Sequence, residues 1–105
     1  MNQGTQDVSA SISAAGTTQA TATLLINGIN MIGTAASGSG VRLFEYNPGA
    51  SQIVYNGGAN PVTVYPPSGV KINNLAANAG HILATNTACE YWTVSTTQVV
   101  GVLSA

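Results

Sequence analysis

The chain has 105 residues, 45% of them hydrophobic and only 5% charged, with two basic and three acidic side chains and a net charge of −1. That length makes one domain, and the share of Ile, Leu, Val and Phe excludes a disordered chain. With no basic patch to neutralise phosphates, binding to nucleic acid by the usual electrostatic route is excluded too.

The ionic inventory is Asp7, Arg42, Glu45, Lys71 and Glu90, with His81 as the single imidazole. Such a low charge leaves Ser, Thr, Asn, Gln, Ala and Gly to cover the surface. It also leaves little repulsion to keep copies apart, which favours a place in an assembly over a monomeric life. Cys89 is alone and makes no internal disulfide; a buried, inert thiol is the expectation. The start, Met1-Asn2-Gln3-Gly4, lacks the basic and apolar regions of a signal peptide. The most apolar stretch, Leu24 to Ile32, is broken by Asn27, Gly28 and Asn30 and falls short of the roughly 20 residues that span a bilayer. Synthesis in the cytoplasm without membrane insertion is expected.

In chain order, Val8 to Ser13 alternates apolar and polar residues, the period of a half-buried strand. Ala20 to Ile26 begins with the same alternation and ends in an apolar run. Asn27-Gly28 is the strongest short hairpin signal, because both residues tolerate positive φ, and Ile29 to Ile32 is the expected return strand. Gly33 to Gly40 reads as a flexible polar loop or strand-edge segment, the one plausible linker between an N-terminal arm or hairpin and the rest. Val41 to Tyr46 is a strand and Asn47-Pro48-Gly49 a turn. Ser51 to Tyr55 follows, closed by a second Asn-Gly hairpin at Asn56 to Asn60. Val62 to Tyr65 is a strand stopped by Pro66-Pro67-Ser68-Gly69. Val70 to Asn73 is short, Asn74 to Gly80 a loop or single helical turn, and Ile82 to Ala84, Cys89 to Ser95 and Gln98 to Leu103 complete the count. Strands this short, with turn signals about every 8–12 residues, predict an all-β fold. We expect a small antiparallel β-sandwich or barrel-like domain over residues 21–105, with an extended N-terminal arm over residues 1–20. No internal repeat is convincing.

Catalytic chemistry has few candidates. A metal would need three or four ligands from Asp7, Glu45, His81, Cys89 and Glu90, and no pair has a metal-binding spacing. Cys89 with His81 is a conceivable nucleophile and base, but nothing local activates the thiol. Glu45 with Glu90 is a conceivable glycosidase pair, although surface carboxylates or partners of Arg42 and Lys71 are the simpler account. Gly38-Ser39-Gly40 lacks the third glycine and the following helix of a phosphate loop. Tyr46, Tyr55, Tyr65, Tyr91 and Trp92 could stack sugars, yet aromatic residues in strands more often fill a core or interface. His81 reads as a hydrogen-bonded structural residue at a strand start. No enzyme and no cofactor is expected.

Most of the chain resembles small bacteriophage structural proteins: capsid decoration (cement) proteins and related tail-fibre β-modules. The likeness lies in Gly40-Val41-Arg42-Leu43, Asn56-Gly57-Gly58-Ala59, Val62 through Gly69, Ile72-Asn73 and Leu75-Ala76-Ala77-Asn78, with Ala14 through Ala22 upstream. Phe44 departs from it, since a proline is frequent there. The resemblance implies a homotrimer bound to the outer surface of the major capsid protein shell, with no nucleic-acid or membrane partner. The location implied is the virion, on the capsid surface. The compact length suits decoration better than a fibre, which usually continues into a stalk or tip. On this reading Val8 and Ile12 of the arm contact the capsid, and Tyr65, Pro66, Pro67 and Trp92 pack subunits together. The alternative is a tail-fibre or receptor-binding module meeting host-surface polysaccharide through its tyrosines and Trp92.

Overall fold

A computed structural model describes residues 7–103. Its ten strands are β1 (Val8–Ala14), β2 (Thr23–Leu24), β3 (Ile29–Ala35), β4 (Gly40–Arg42), β5 (Ser51–Asn56), β6 (Val62–Tyr65), β7 (Lys71–Ile72), β8 (His81–Leu83), β9 (Thr87–Ser95) and β10 (Gln98–Leu103). They form a six-stranded sheet, β1-β3-β5-β9-β10-β7, and a four-stranded sheet, β2-β4-β6-β8. The all-β expectation holds for these residues.

The antiparallel sandwich or barrel gives way to mixed sheets. Up to β9 the chain alternates between the two sheets, one strand in each per turn, so that β1, β3 and β5 lie parallel in one and β2, β4 and β6 parallel in the other. This is a solenoid-like coil. Ile29 stacks between Val8 and Ile53, offsets of 21 and 24 residues. Val41 stacks between Thr23 and Val64, offsets of 18 and 23. The chain then reverses: β8 pairs antiparallel with β6, and β9 antiparallel with both β5 and β10.

Both Asn-Gly signals mark corners rather than hairpins. Asn27-Gly28 lies between β2 in one sheet and β3 in the other, and Asn56-Gly57 leads from β5 to the opposite sheet. Turn chemistry fixes where the chain bends, not which sheet it enters next. Gly33 to Gly40 is not a linker: β3 runs through it to Ala35, and Ser39 and Gly40 are buried where β4 begins.

The expected arm is, over its described part, built into the fold. Val8–Ala14 is the end strand of the larger sheet, with a bulge at Ser11 (φ 60°) that shifts its register against β3. Ala14 is in the core and Ile12 packs against it. Beyond β1, Gln19 Nε2 donates to the Pro66 carbonyl at 2.8 Å. Residues 1–6 of the arm and 104–105 of the expected domain lie outside the described residues.

The core sits between the sheets. Leu25, Val41, Leu43, Val62, Val64 and Leu83 face Ile32, Val54, Ile72, Cys89, Tyr91 and Val99. Each of the larger side chains contributes about 1.5–3 kcal/mol on burial. At the corners, buried amides replace missing backbone partners. Asn56 Nδ2 donates to the carbonyls of Asn60 (2.9 Å) and Leu83 (3.1 Å), and its Oδ1 accepts from Gly58 N (2.9 Å). Successive turns are so close here that a Cβ on Gly58 would fall 2.6 Å from that of Ala35.

Candidate functional site

Alternation along the strands of the larger sheet sends one set of residues inward and leaves the other outside. Across the strands the outer set falls into rows: Val8, Ile29, Ile53, Glu90 and Val102; Met31, Tyr55 and Ala88; Ser51, Trp92 and Val100. Val94 extends the surface along β9. Val8, Met31, Trp92, Val94, Val100 and Val102 are exposed, with Val102 at 59%. The result is an apolar face crossing five strands. Its ionic groups are Glu90 on β9 and Lys71 on β7, which faces outward because its neighbour Ile72 is buried against Val99.

A second feature is the loop between β4 and β5. Three concavities meet there and share lining residues. One, of about 190 Å³, lies between Glu45, Tyr46, Pro67, Thr93 and Ser95. A second, of about 440 Å³, is bounded by Asp7, Asn27, Tyr46 and Ser51. The third, of about 370 Å³, is bounded by Arg42, Phe44, Glu45 and Pro67. The rings of Phe44 and Tyr46 lie 4.8 Å apart and tilted. Partial burial, and then the charge of Asp7, push the Tyr46 phenol above its ordinary pKa. Inside the fold, Gln52 anchors this loop: its Oε1 accepts from Phe44 N and its Nε2 donates to the Phe44 carbonyl, each at 3.0 Å.

Of the residues singled out from sequence, Val8 and Trp92 lie on the outer face. Ile12 is half-buried against the core. Tyr65 is half-buried and its hydroxyl donates to the Thr17 carbonyl at 2.9 Å. Pro66 and Pro67 are buried by the chain itself. The structure therefore does not bring the four expected packing residues into one patch. The five expected aromatics are also dispersed: Tyr91 is in the core, Tyr65 is on the smaller sheet, Tyr55 and Trp92 are on the outer face, and Tyr46 is in the loop.

The polar core group is Tyr91 with His81 and Cys89. The Tyr91 hydroxyl lies 2.9 Å from His81 Nδ1, and the rings meet edge-on with centroids 5.9 Å apart. Burial, then the neighbouring Cys89, drives the phenol far above its ordinary pKa. Burial pushes the Cys89 thiol up and the His81 imidazole down. A neutral thiol beside a neutral ring is a packing arrangement, since the nucleophile is the thiolate. Glu45 stands in the loop and Glu90 on the outer face of β9. Among the described residues no three His, Cys, Asp or Glu side chains gather closely enough to hold a metal ion.

Sequence reading missed the apolar face. Its signal was present in Ile53-Val54-Tyr55, Tyr91-Trp92-Thr93-Val94 and Val99-Val100, which are apolar at both parities, as in strands covered on two sides.

Taken together, the geometry defines a two-sheet, mixed β coil with a broad apolar outer face. Compared with known protein families, with curated proteins and with solved structures, the chain matches none.

Proposed function

We propose that the chain is a non-catalytic structural module of a bacteriophage particle, a capsid decoration protein that self-associates and binds the outer surface of the major capsid protein shell. The observation that carries this reading is the apolar outer face of the six-stranded sheet. A wide water-exposed apolar surface on a folded chain is a protein-contact surface. A chain with 5% charged residues can also be covered at little desolvation cost. The likeness of its motifs to phage modules supports the kind of particle.

β1 offers a second contact. Among the described residues it ends the sheet order with β3 as its one neighbour, so its other side can take up a strand from a capsid subunit. Removing residues 1–20 is a poor test of that contact, because it deletes β1 itself. Removing residues 1–6 spares β1. The decisive experiment is cryo-electron microscopy of whole virions. Density repeated at equivalent positions over the whole shell is expected; density confined to the tail or one vertex overturns the decoration reading.

The loop at Phe44 to Ala50 favours a second reading, a tail-associated module that binds host polysaccharide. Its adjoining concavities combine the exposed Phe44 ring and the half-buried Tyr46 ring with carboxylate, amide and hydroxyl groups, the mixture that grips a sugar's apolar face and its hydroxyls. Titration with host-surface polysaccharide checks it: binding abolished by Tyr46→Ala supports it, and no binding by the wild-type chain rejects it.

A further inference from the structure

We infer that the outer face of the six-stranded sheet is where copies of this chain pack on one another, like face against like face. This rests on the assembly reading above and deepens it by naming the occupant of that face as a second copy, so that the unit is a two-fold pair in place of the homotrimer that the resemblance implies, and the edge of β1 is left for the shell. Three properties of the face point to self-pairing.

The first is its chemistry. Met31, Trp92, Val94, Val100 and Val102 stand exposed around the half-buried Ile53. Side chains of this kind on a flat, pleated surface interdigitate with an equivalent surface about 10 Å away.

The second is size. Its five strands, each about 4.8 Å wide and six to nine residues long, present roughly 24 by 20 Å. Two such faces together remove on the order of 1,000 Å² from water, which reaches the lower bound for a specific protein interface.

The third is charge. The face carries one carboxylate, Glu90, and one ammonium, Lys71, on strands separated by β10. A symmetric interface places residue i of one copy against residue j of the other, and j against i. Glu90 can then meet Lys71 of the neighbouring copy twice, and the face as a whole is neutral. A partner of strong charge would find nothing here to complement it.

The test is sedimentation equilibrium of the full chain at micromolar concentrations. The wild-type chain is expected well above its single-chain mass of 10.5 kDa. Val100→Lys and, separately, Val102→Lys should return it to that mass, with unchanged circular dichroism showing that each still folds. Ile82→Lys, exposed on the smaller sheet, should leave the assembly intact. Glu90→Lys should weaken association at least tenfold, and Glu90→Lys with Lys71→Glu should restore it. A wild-type chain that stays monomeric, or assembly that survives both valine substitutions, overturns the inference. An oligomer that dissociates on Val100→Lys yet never attaches to shells overturns the decoration reading alone.

Discussion

The winding half of the molecule, β1 to β6, and the returning half, β7 to β10, complete the same two sheets by different means. In the winding half no strand pairs with its sequence neighbour; each finds its partner a full turn away. Backbone groups at the corners therefore lose strand partners, and buried amides take them over: Asn30 Nδ2 donates to the Asn27 and Ile53 carbonyls, Gln52 clasps Phe44, and Asn56 holds Gly58, Asn60 and Leu83. The returning half ends in a local closure. β9 and β10 form a hairpin across Thr96 and Thr97, with Gln98 opposite Ser95. Its buried phenol, Tyr91, makes a cross-link rather than a corner. A coil depends on single side chains at its corners, whereas a hairpin spreads the same task along a ladder.

The largest effect should come from Asn56, which ties the two halves together. Asn56→Leu leaves the Gly58 N–H and the Asn60 and Leu83 carbonyls without the amide. At about 1–3 kcal/mol for each buried unpaired group, a loss of about 4 kcal/mol is expected in urea unfolding. That is a large share of a typical domain's stability of about 5–15 kcal/mol. Gln52→Leu should follow, at about 2–3 kcal/mol, since it strands the N–H and carbonyl of one residue, Phe44. It should also loosen the loop that carries Tyr46, read as faster amide exchange at residues 44–50. If either variant proves as stable as the wild type, the corners are not held by their amides and the contrast collapses.

That contrast also explains what could be read in advance. The strands themselves were legible: Val62 to Tyr65 and Gln98 to Leu103 stand where alternation and turn residues put them. Their partners were not. Asn27-Gly28 carries the chemistry of a tight turn, but pairing in a coil depends on residues some 18–24 positions away, such as Val41 with Thr23 and Ile53 with Ile29. Those residues resemble one another only in being extended and apolar. The buried amides were hidden for a related reason. Asn30, Gln52 and Asn56 look like solvent-facing residues until the next turn of chain covers them. The outer face was obscured by the opposite habit: Val94 and Val100 look like core residues, and exposure is visible only once β9 and β10 are paired.

In the returning half a single deletion should be milder. Tyr91→Phe keeps the ring in the core and removes only the hydroxyl that meets His81. The imidazole is half-buried and can turn to water, so a loss of about 1 kcal/mol is expected, well below that of Asn56→Leu. A loss as large as that of Asn56→Leu would mean that the hairpin half leans on its polar cross-link as heavily as the coil leans on its corners.

His81 gives the smallest effect and the sharpest sign. Burial lowers its pKa from the ordinary 6.5, so between that value and its lower folded value the unfolded chain binds more protons than the folded one. Stability then rises with pH across that window. Read downward, it is fully present above pH 6.5 and lost as the pH falls through the folded pKa, with no further loss from this group below it. Melting curves of the wild type and of His81→Gln between pH 7.5 and pH 5 isolate the contribution, because the two chains differ in that one titrating group. The wild type should lose stability relative to the variant as the solution is acidified. Parallel curves would show that protonated His81 finds as good a setting in the fold as in water, and that the Tyr91 hydroxyl can accept from the charged ring as readily as it meets the neutral one.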